Sequence, residues 1–338
     1  MRETLALAVE EPSQAGEARR AATSMAARAG FDPTGQGKVA LLVTEIANNL
    51  VRHASQGELI LRVLSEGDDA GLEILSLDKG PGMADVRRCL ADGFSTGTTP
   101  GVGLGAVVRM SDEFDIHSAP GQGTVMMSRC WTGPRDRTAG GLEVGAVCRP
   151  IAGEVISGDS WMARESDPVR SLVMVADGLG HGPLAADASL AAIKIFARTR
   201  SSAPAEILRE AHEALRGTRG AAVAVAAVDR GRREVAYAGV GNIFGMILAP
   251  SGRSGLVSHN GTLGADARKF QEFTYAWPEG AMLVMHSDGL TTQWRLDRSS
   301  ALGSRDPSVV AGVLYRDHTR GRDDATVVVA RDGDGGQP

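Results

Sequence analysis

The chain has 338 residues, 43% hydrophobic and 4% aromatic, enough apolar mass for two ordinary domains with their own cores. A net charge of −5 with no Lys/Arg block argues against a nucleic-acid surface, and the acidic balance gives no reason to expect a membrane partner. Forty-three glycines, many of them clustered, point instead to loops where backbone must approach a ligand closely.

In chain order, Arg2, Glu3, Glu10 and Glu11 surround a short apolar run, so the N-terminus does not read as a signal peptide. No apolar run approaches the roughly 20 residues that span a bilayer. Three cysteines (Cys89, Cys130, Cys148) lack metal-ligand spacing and fit a reducing cytoplasm. Residues 4–9 read as a first strand and 13–30 as an Ala/Arg-rich helix ended by Gly30. In the next helix, about 35–53, Val39, Leu42, Val43, Ile46 and Leu50 form a core stripe. Glu45, Asn49, Arg52 and His53 share a different face of that helix. Strands are expected at 58–64 and 71–77, the second ending at Asp78-Lys-Gly80-Pro-Gly82. A Gly/Thr loop over 92–105 ends in Gly101-Val-Gly103-Leu104-Gly105 and opens a helix to about 111, whose N-terminal N–H groups suit phosphate oxygens. Strands at 112–118 and 124–131 follow, joined by Ala119-Pro-Gly-Gln-Gly123.

Residues 132–141 have no apolar periodicity and read as a linker. After it, strands are expected at 143–149, 154–158 and 171–176, helices at 183–200 and 204–216, and strands at 221–229, 233–239, 243–249 and 281–287. A helix at 307–316 and a strand at 325–330 complete the pattern, and there is no internal repeat. Runs such as Ala221–Val228 are apolar on both faces, as in a sheet buried between layers. Ser171-Leu-Val-Met-Val-Ala-Asp177 is a buried strand ending in a carboxylate, which is costly unless a partner such as a metal neutralises it. Asp159, Asp288 and Asp323 lie in similar settings at the edges of apolar runs. Four such carboxylates point to one dinuclear metal site assembled by a β fold.

The ordered set Glu45-x-x-x-Asn49, Asp78-x-Gly80-x-Gly82, Gly101-x-Gly103-x-Gly105 and Gly123-Thr124 resembles the ATP-binding fold shared by gyrase, Hsp90, histidine kinases and MutL. The likeness spans about residues 5–131 and is similar in particular to the small anti-sigma/switch serine kinases of the RsbT and RsbW type. It implies a GHKL (Bergerat) α/β sandwich over 1–131 with ATP and Mg²⁺ as cofactors. By the same resemblance Asn49 holds Mg²⁺ on the phosphates and Glu45 polarises the attacking hydroxyl. Asp78 accepts from the adenine amino group, Gly80 and Gly82 let the base approach, and Thr124 lies near it. Gly101, Gly103, Leu104 and Gly105 cradle the phosphates. Arg52 and His53 read as surface or supporting residues. Lys79 fills the variable position of the Asp-x-Gly motif, and the lid region Ser95–Pro100 is short and Thr-rich.

Asp159, Asp177-Gly178, Asp288-Gly289 and Asp323-Asp324-x-Thr326 resemble, in order and spacing, the metal-dependent (PPM) serine/threonine phosphatases of the SpoIIE, RsbU and RsbX types. Val175-Ala-Asp-Gly-Leu-Gly-His-Gly182 is the most specific part. The match covers about 142–332, leaves 333–338 as a tail, and implies a β-sandwich flanked by helices, hence an α+β chain. It further implies two Mn²⁺ or Mg²⁺ ions bridged by Asp177, with the Gly178 carbonyl, Asp159, Asp288 and Asp323 as further ligands. Asp323 is preferred over Asp324 because the family signature ligates through its first acid. For His181, capping or packing is as expected as catalysis, and Glu154 and Asp187 read as surface or turn residues.

Together the resemblances imply a cytoplasmic bifunctional regulator, in which a switch-kinase domain is fused to a phosphoserine/phosphothreonine phosphatase. The implied partner is a STAS-type antagonist protein, phosphorylated or not, with a sigma factor as another candidate switch component. Two other readings of the front domain stay open: an ATP sensor without kinase activity, and a binding module that sequesters a partner. With no coiled coil or sensor segment ahead of the second half, regulation is expected through the ATP domain, a partner, or self-association as a homodimer.

Overall fold

The computed structural model describes residues 4–66, 69–90, 103–134, 141–296 and 300–333. Gly101, the lid region Ser95–Pro100, most of the expected linker and the C-terminal tail lie outside the described residues. The chain divides into two compact units, Met1–Asp136 and Arg137–Pro338.

The first unit runs β1 (Thr4–Ala8), α1 (Pro12–Arg28), α2 (Pro33–His53), β2 (Glu58–Glu66), β3 (Asp69–Leu77), α3 (Val86–Leu90), α4 (Gly103–Met110), β4 (Glu113–Ser118) and β5 (Thr124–Trp131). Local chemistry sets the helix starts. Glu11 and Gln14 form a capping box at α1, and the Asp32 side chain accepts from Gly35 N ahead of Pro33 at α2. The strands form one antiparallel sheet in the order β1-β2-β3-β5-β4. Met25, Val39, Leu42, Val43 and Ile46 from the helices pack on Leu59, Leu61, Leu72 and Ile74 of the sheet. Burying this stripe orients α2, so the face carrying Glu45 and Asn49 is left half-buried at the side of the core.

The second unit runs β6 (Leu142–Arg149), β7 (Asp159–Asp167), β8 (Arg170–Gly178), α5 (Pro183–Arg198), α6 (Pro204–Ala214), β9 (Ala221–Asp229), β10 (Glu234–Val240), β11 (Phe244–Ala249), β12 (Gly252–Gly255), β13 (Phe273–Ala276), β14 (Met282–His286), α7 (Pro307–His318) and β15 (Ala325–Asp332). Two five-stranded sheets, β13-β10-β9-β8-β7 and β12-β11-β14-β15-β6, face each other. Val173, Val175, Ala224 and Tyr237 of one sheet meet Ile247, Leu283, Met285 and Val328 of the other. The outward residues Leu172, Met174, Val223 and Val225 pack under Phe196 of α5 and Leu208 of α6. α7 covers β6 and β15. A β-sandwich flanked by helices results, as expected. Among the described residues no helix is long and apolar enough to cross a membrane.

The short elements α3, β12 and β13 are additions to the expected pattern, and one expected strand is displaced. Residues 154–158 are a loop rather than a strand, and the strand begins at Asp159. Val155 and Ile156 gave that segment its apolar look, yet both side chains are exposed. The loop is held instead by its ends: the backbone N–H groups of Ile151 and Gly158 both donate to the Asp324 carboxylate at 2.7 Å.

Candidate functional site

The acidic site of the second unit forms where four segments meet at one end of the sandwich. β7 enters at Asp159 and β8 leaves at Asp177-Gly178, with the two aspartates as direct antiparallel partners. In the facing sheet β14 ends two residues before Asp288, and β15 starts immediately after Asp323 and Asp324. By the two-residue period of a strand, Asp177 shares the inward face of Val173 and Val175. Glycines let these segments close on one another: a Cβ on Gly178 would lie 2.0 Å from the Ala185 carbonyl oxygen, and one on Gly289 1.9 Å from that of Asp324.

The carboxylates sense each other. Burial, followed by the charges of Asp159, Asp288, Asp323 and Asp324, pushes the Asp177 carboxyl up to about 9. Burial pushes Asp159 up to about 7, against the pull of the hydrogen bond from Ser287. Asp288 is raised by burial and by Asp323, while Arg320 and the Asn242 hydrogen bond act the other way. Such an all-oxygen cluster fits hard divalent cations, whose charge removes the mutual repulsion. Among the described residues, no three His, Cys, Asp or Glu side chains converge closely enough to enclose an ion unaided.

Neutral residues that sequence patterning did not single out fix these acids. Ser287 Oγ donates to Asp159 Oδ2 at 2.6 Å and itself accepts from Thr326 N at 3.0 Å. Asn242 Nδ2 donates to Asp288 Oδ2 at 2.7 Å. Beneath them His286 is fully buried, stacked on Phe244 at 4.6 Å and accepting from Trp294 Nε1 at 3.1 Å. Its Nδ1 then carries the proton and donates to the Ser287 carbonyl at 2.7 Å. Burial pushes this imidazole down to about 4, so it serves as a neutral support. Only Thr326 among these polar residues stood in a motif. His181 Nδ1 lies 2.9 Å from Glu154 Oε1, tying together two loops at the rim.

In the first unit, Asp78 is 8% exposed at the end of β3 and accepts from Gly80 N at 2.7 Å. Its backbone N–H donates to Thr124 O at 2.9 Å, which joins the expected base-side residues. Gly82 and Gly123 both adopt left-handed φ, and a Cβ on either would lie 2.0 Å from a carbonyl oxygen, of Ala119 and Asp78 respectively. Asn49 approaches the start of α4: its Oδ1 is 3.3 Å from where a Cβ of Gly103 would stand. The buried Asn49 Nδ2 has no hydrogen-bond partner among the described residues. An orphaned amide facing a glycine at a helix N-terminus fits a polar, anionic ligand there. Glu45 lies one turn earlier on α2, half-buried, whereas Leu104 packs against the core and Gly105 is buried within α4.

Comparison with known proteins follows the same division. Residues 8–129 match the family model of the histidine kinase-like ATPase domain, and residues 167–332 that of stage II sporulation protein E (SpoIIE). The chain is 33% identical over 114 residues to serine/threonine-protein kinase RsbT of Bacillus subtilis (strain 168), covering 34% of this chain and 86% of RsbT. It is 32% identical over 140 residues to phosphoserine phosphatase RsbX of the same organism, covering 41% of this chain and 69% of RsbX. The chain belongs to both families, one in each unit. The SpoIIE-family unit is a PP2C-type phosphatase domain, and its fold is that of RsbX in a crystal structure with magnesium (TM-score 0.50, 23% identity, 56% of this chain and 95% of that one). The kinase-like ATPase unit carries the α/β sheet and the Asn49 face described above.

Proposed function

We propose that the second unit removes phosphate from phosphoserine or phosphothreonine on a STAS-type antagonist protein, and that the first unit is an ATP-dependent serine kinase of the same partner-switching circuit. The observation that carries the phosphatase reading is the convergence of strand ends that sets Asp159 directly opposite Asp177 and brings Asp288 and Asp323 to the same end of the sandwich. Asp177, with the Gly178 carbonyl and Asp159, Asp288 and Asp323, would hold two Mg²⁺ or Mn²⁺ ions. When bound, such ions supply an acidified water and charge stabilisation for attack at phosphorus. The chain's own residues do the positioning. Ser287, itself fixed by Thr326 N, holds Asp159, Asn242 aims Asp288, and Asp324 uses both oxygens on the 151–158 loop. That last arrangement supports Asp323 as the ligand of the Asp-Asp pair.

In the first unit Asn49 would hold the Mg²⁺ of bound ATP and Asp78 would take the adenine amino group. Gly101, Gly103, Leu104 and Gly105 would lie along the phosphates, with Gly80, Gly82 and Thr124 about the base. Glu45 would accept the proton of a substrate hydroxyl, which is most of what phosphoryl transfer asks of side chains. A cytoplasmic setting follows from the need for ATP.

The deciding experiment incubates the full chain with a phosphorylated STAS protein and follows phosphate release with Mn²⁺, Mg²⁺ or a chelator, then follows label transfer from γ-labelled ATP to the unphosphorylated protein. Metal-dependent release and label transfer are expected. Release that is indifferent to the chelator would remove the phosphatase mechanism, and nucleotide binding without transfer would leave the first unit as a sensor.

A further inference from the structure

Isolated exposed apolar side chains are ordinary on a protein surface, but a group of them beside a reaction centre is not. Eight large hydrophobic side chains are exposed among the described residues, and four of these, Val155, Ile156, Leu179 and Leu184, fall in the two segments that flank the acidic site. Val155 is 93% exposed and Leu184 56%. The two segments lie side by side: Gly178 N donates to Gly158 O at 3.2 Å, and His181 Nδ1 meets Glu154 Oε1 at 2.9 Å. A Cβ on Gly158 would touch the Ala185 side chain at 2.7 Å.

This exposure belongs to an anchored loop. Asp324, 2% exposed, accepts from the backbone at both Ile151 and Gly158, so the turn carrying Val155 and Ile156 is held at each end. The patch is also continuous with the acids, since Asp159 follows Gly158 directly and Leu179 follows Asp177-Gly178. A cation stands at the same rim: Arg219 Nη1 is 3.1 Å from where a Cβ of Gly180 would lie, and Leu179 N donates to Gly220 O at 3.0 Å.

We propose that Val155, Ile156, Leu179 and Leu184 form a docking lip that seats apolar side chains of the phosphoprotein substrate next to its phosphoserine, with Arg219 facing the phosphate. The proposal deepens the phosphatase reading and rests on it. Charge complementarity selects the occupant. A free phosphate or a small phosphomonoester leaves the apolar lip uncovered, and a purely apolar partner makes no use of the Arg219 guanidinium. A phosphoserine flanked by Leu or Val engages the lip and the guanidinium together.

The test uses the full chain with Mn²⁺ and three probes: p-nitrophenyl phosphate and two phosphoserine peptides, one with Leu and Val beside the phosphoserine and one with serines there. The wild type is expected to favour the apolar peptide about tenfold in kcat/KM, mainly through KM. V155S/L184S is expected to lose that preference while hydrolysing p-nitrophenyl phosphate at the wild-type rate, which also shows that it is folded. Because Val155 is almost fully exposed, V155S alone repeats the test with no loss of core packing. Equal cleavage of both peptides by the wild type, or a preference that survives both variants, overturns the lip. No hydrolysis of any probe, p-nitrophenyl phosphate included, overturns the phosphatase reading and the lip with it.

Discussion

Asp159 and Asp177 face one another directly across the ladder between β7 and β8, one at the first residue of its strand and the other next to last in its own. Two carboxylates opposed on one sheet face repel each other, so a fold that keeps them gains function at the expense of the metal-free state. Asp177→Asn relieves that repulsion. Its phosphate release should fall by about a thousandfold or more, roughly 4 kcal/mol of barrier. In chelator its melting temperature should rise by a few degrees, at about 2–4 °C per kcal/mol for a unit of this size. Phosphatase assays and thermal melts on the same samples check both outcomes, and retained activity sinks the assignment.

Asp323 and Asp324 adjoin in sequence but do different work. Asp324 accepts two backbone N–H groups, and an Asn at this position can accept only one of them. Asp324→Asn should therefore cost about 1–3 kcal/mol and speed amide exchange over 151–158. Asp323→Asn should leave stability near wild type and raise the metal concentration needed for activity by about 10–100-fold. A metal titration beside a melt separates the two. Equal behaviour of the variants would mean that the pair shares one role.

The division of labour in that pair shows where sequence reading stops. Apolar runs ended by Asp-Gly announced β8 and β14, because burial on both faces leaves a continuous hydrophobic signature. Glycine spacing announced the base side and the phosphate side of the first unit for a related reason, since backbone crossing at Gly82 and Gly123 tolerates no side chain. The short elements α3, β12 and β13 carry no such pattern, and β12 is exposed throughout. Asn242 and Ser287 are lone polar residues in turns, and only the folded register brings them to Asp288 and Asp159. Val155-Ile156 misled because a β-branched pair reads as strand, whereas here it faces solvent.

Four strands of the first unit are crossed by a charge ladder. Arg62, Glu73, Arg129 and Glu113 are successive register partners on β2, β3, β5 and β4, linked at 2.6, 2.8 and 2.9 Å. Glu73, with its side chain only 2% exposed, balances two guanidiniums. Glu73→Gln keeps the shape and removes the charge, which should cost about 3–5 kcal/mol. Urea denaturation of the full chain, followed by a probe of the first unit, is the measurement. A loss under about 1 kcal/mol would show that solvent reaches the ladder.

Acid stability offers an independent reading in the second unit. Asp229 accepts from Arg170 Nη2 at 2.7 Å and from Arg232 N at 2.9 Å, and the Arg170 hydrogen bond holds its carboxyl below the usual range. A folded pKa below the unfolded value of about 3.9 gives stability that is present above that pH and lost as pH falls through the folded value. Asp229→Asn should then be about 1–2 kcal/mol less stable near neutrality, and the gap should close in acid. Calorimetry from neutral pH down to about pH 3 tests the sign. A gap that widens in acid would contradict it.

Glu45 and Asn49 lie one turn apart on α2, and the proposed roles separate them cleanly. Asn49 faces the start of α4 with a buried, orphaned amide, so its loss should damage nucleotide binding itself. Asn49→Ala is expected to weaken ATP binding by about tenfold or more, near the 1.4 kcal/mol that a lost ligand contact represents. Glu45→Gln preserves size and hydrogen bonding but cannot accept a proton, so binding should persist while label transfer from ATP to protein falls by about 10²–10⁴-fold. Calorimetric ATP titrations and γ-label transfer, run on both variants, give a two-by-two outcome. If Glu45→Gln transfers label as well as the wild type, Glu45 is no general base. If Asn49→Ala binds ATP normally, the face of α2 opposite its core stripe is not the nucleotide site.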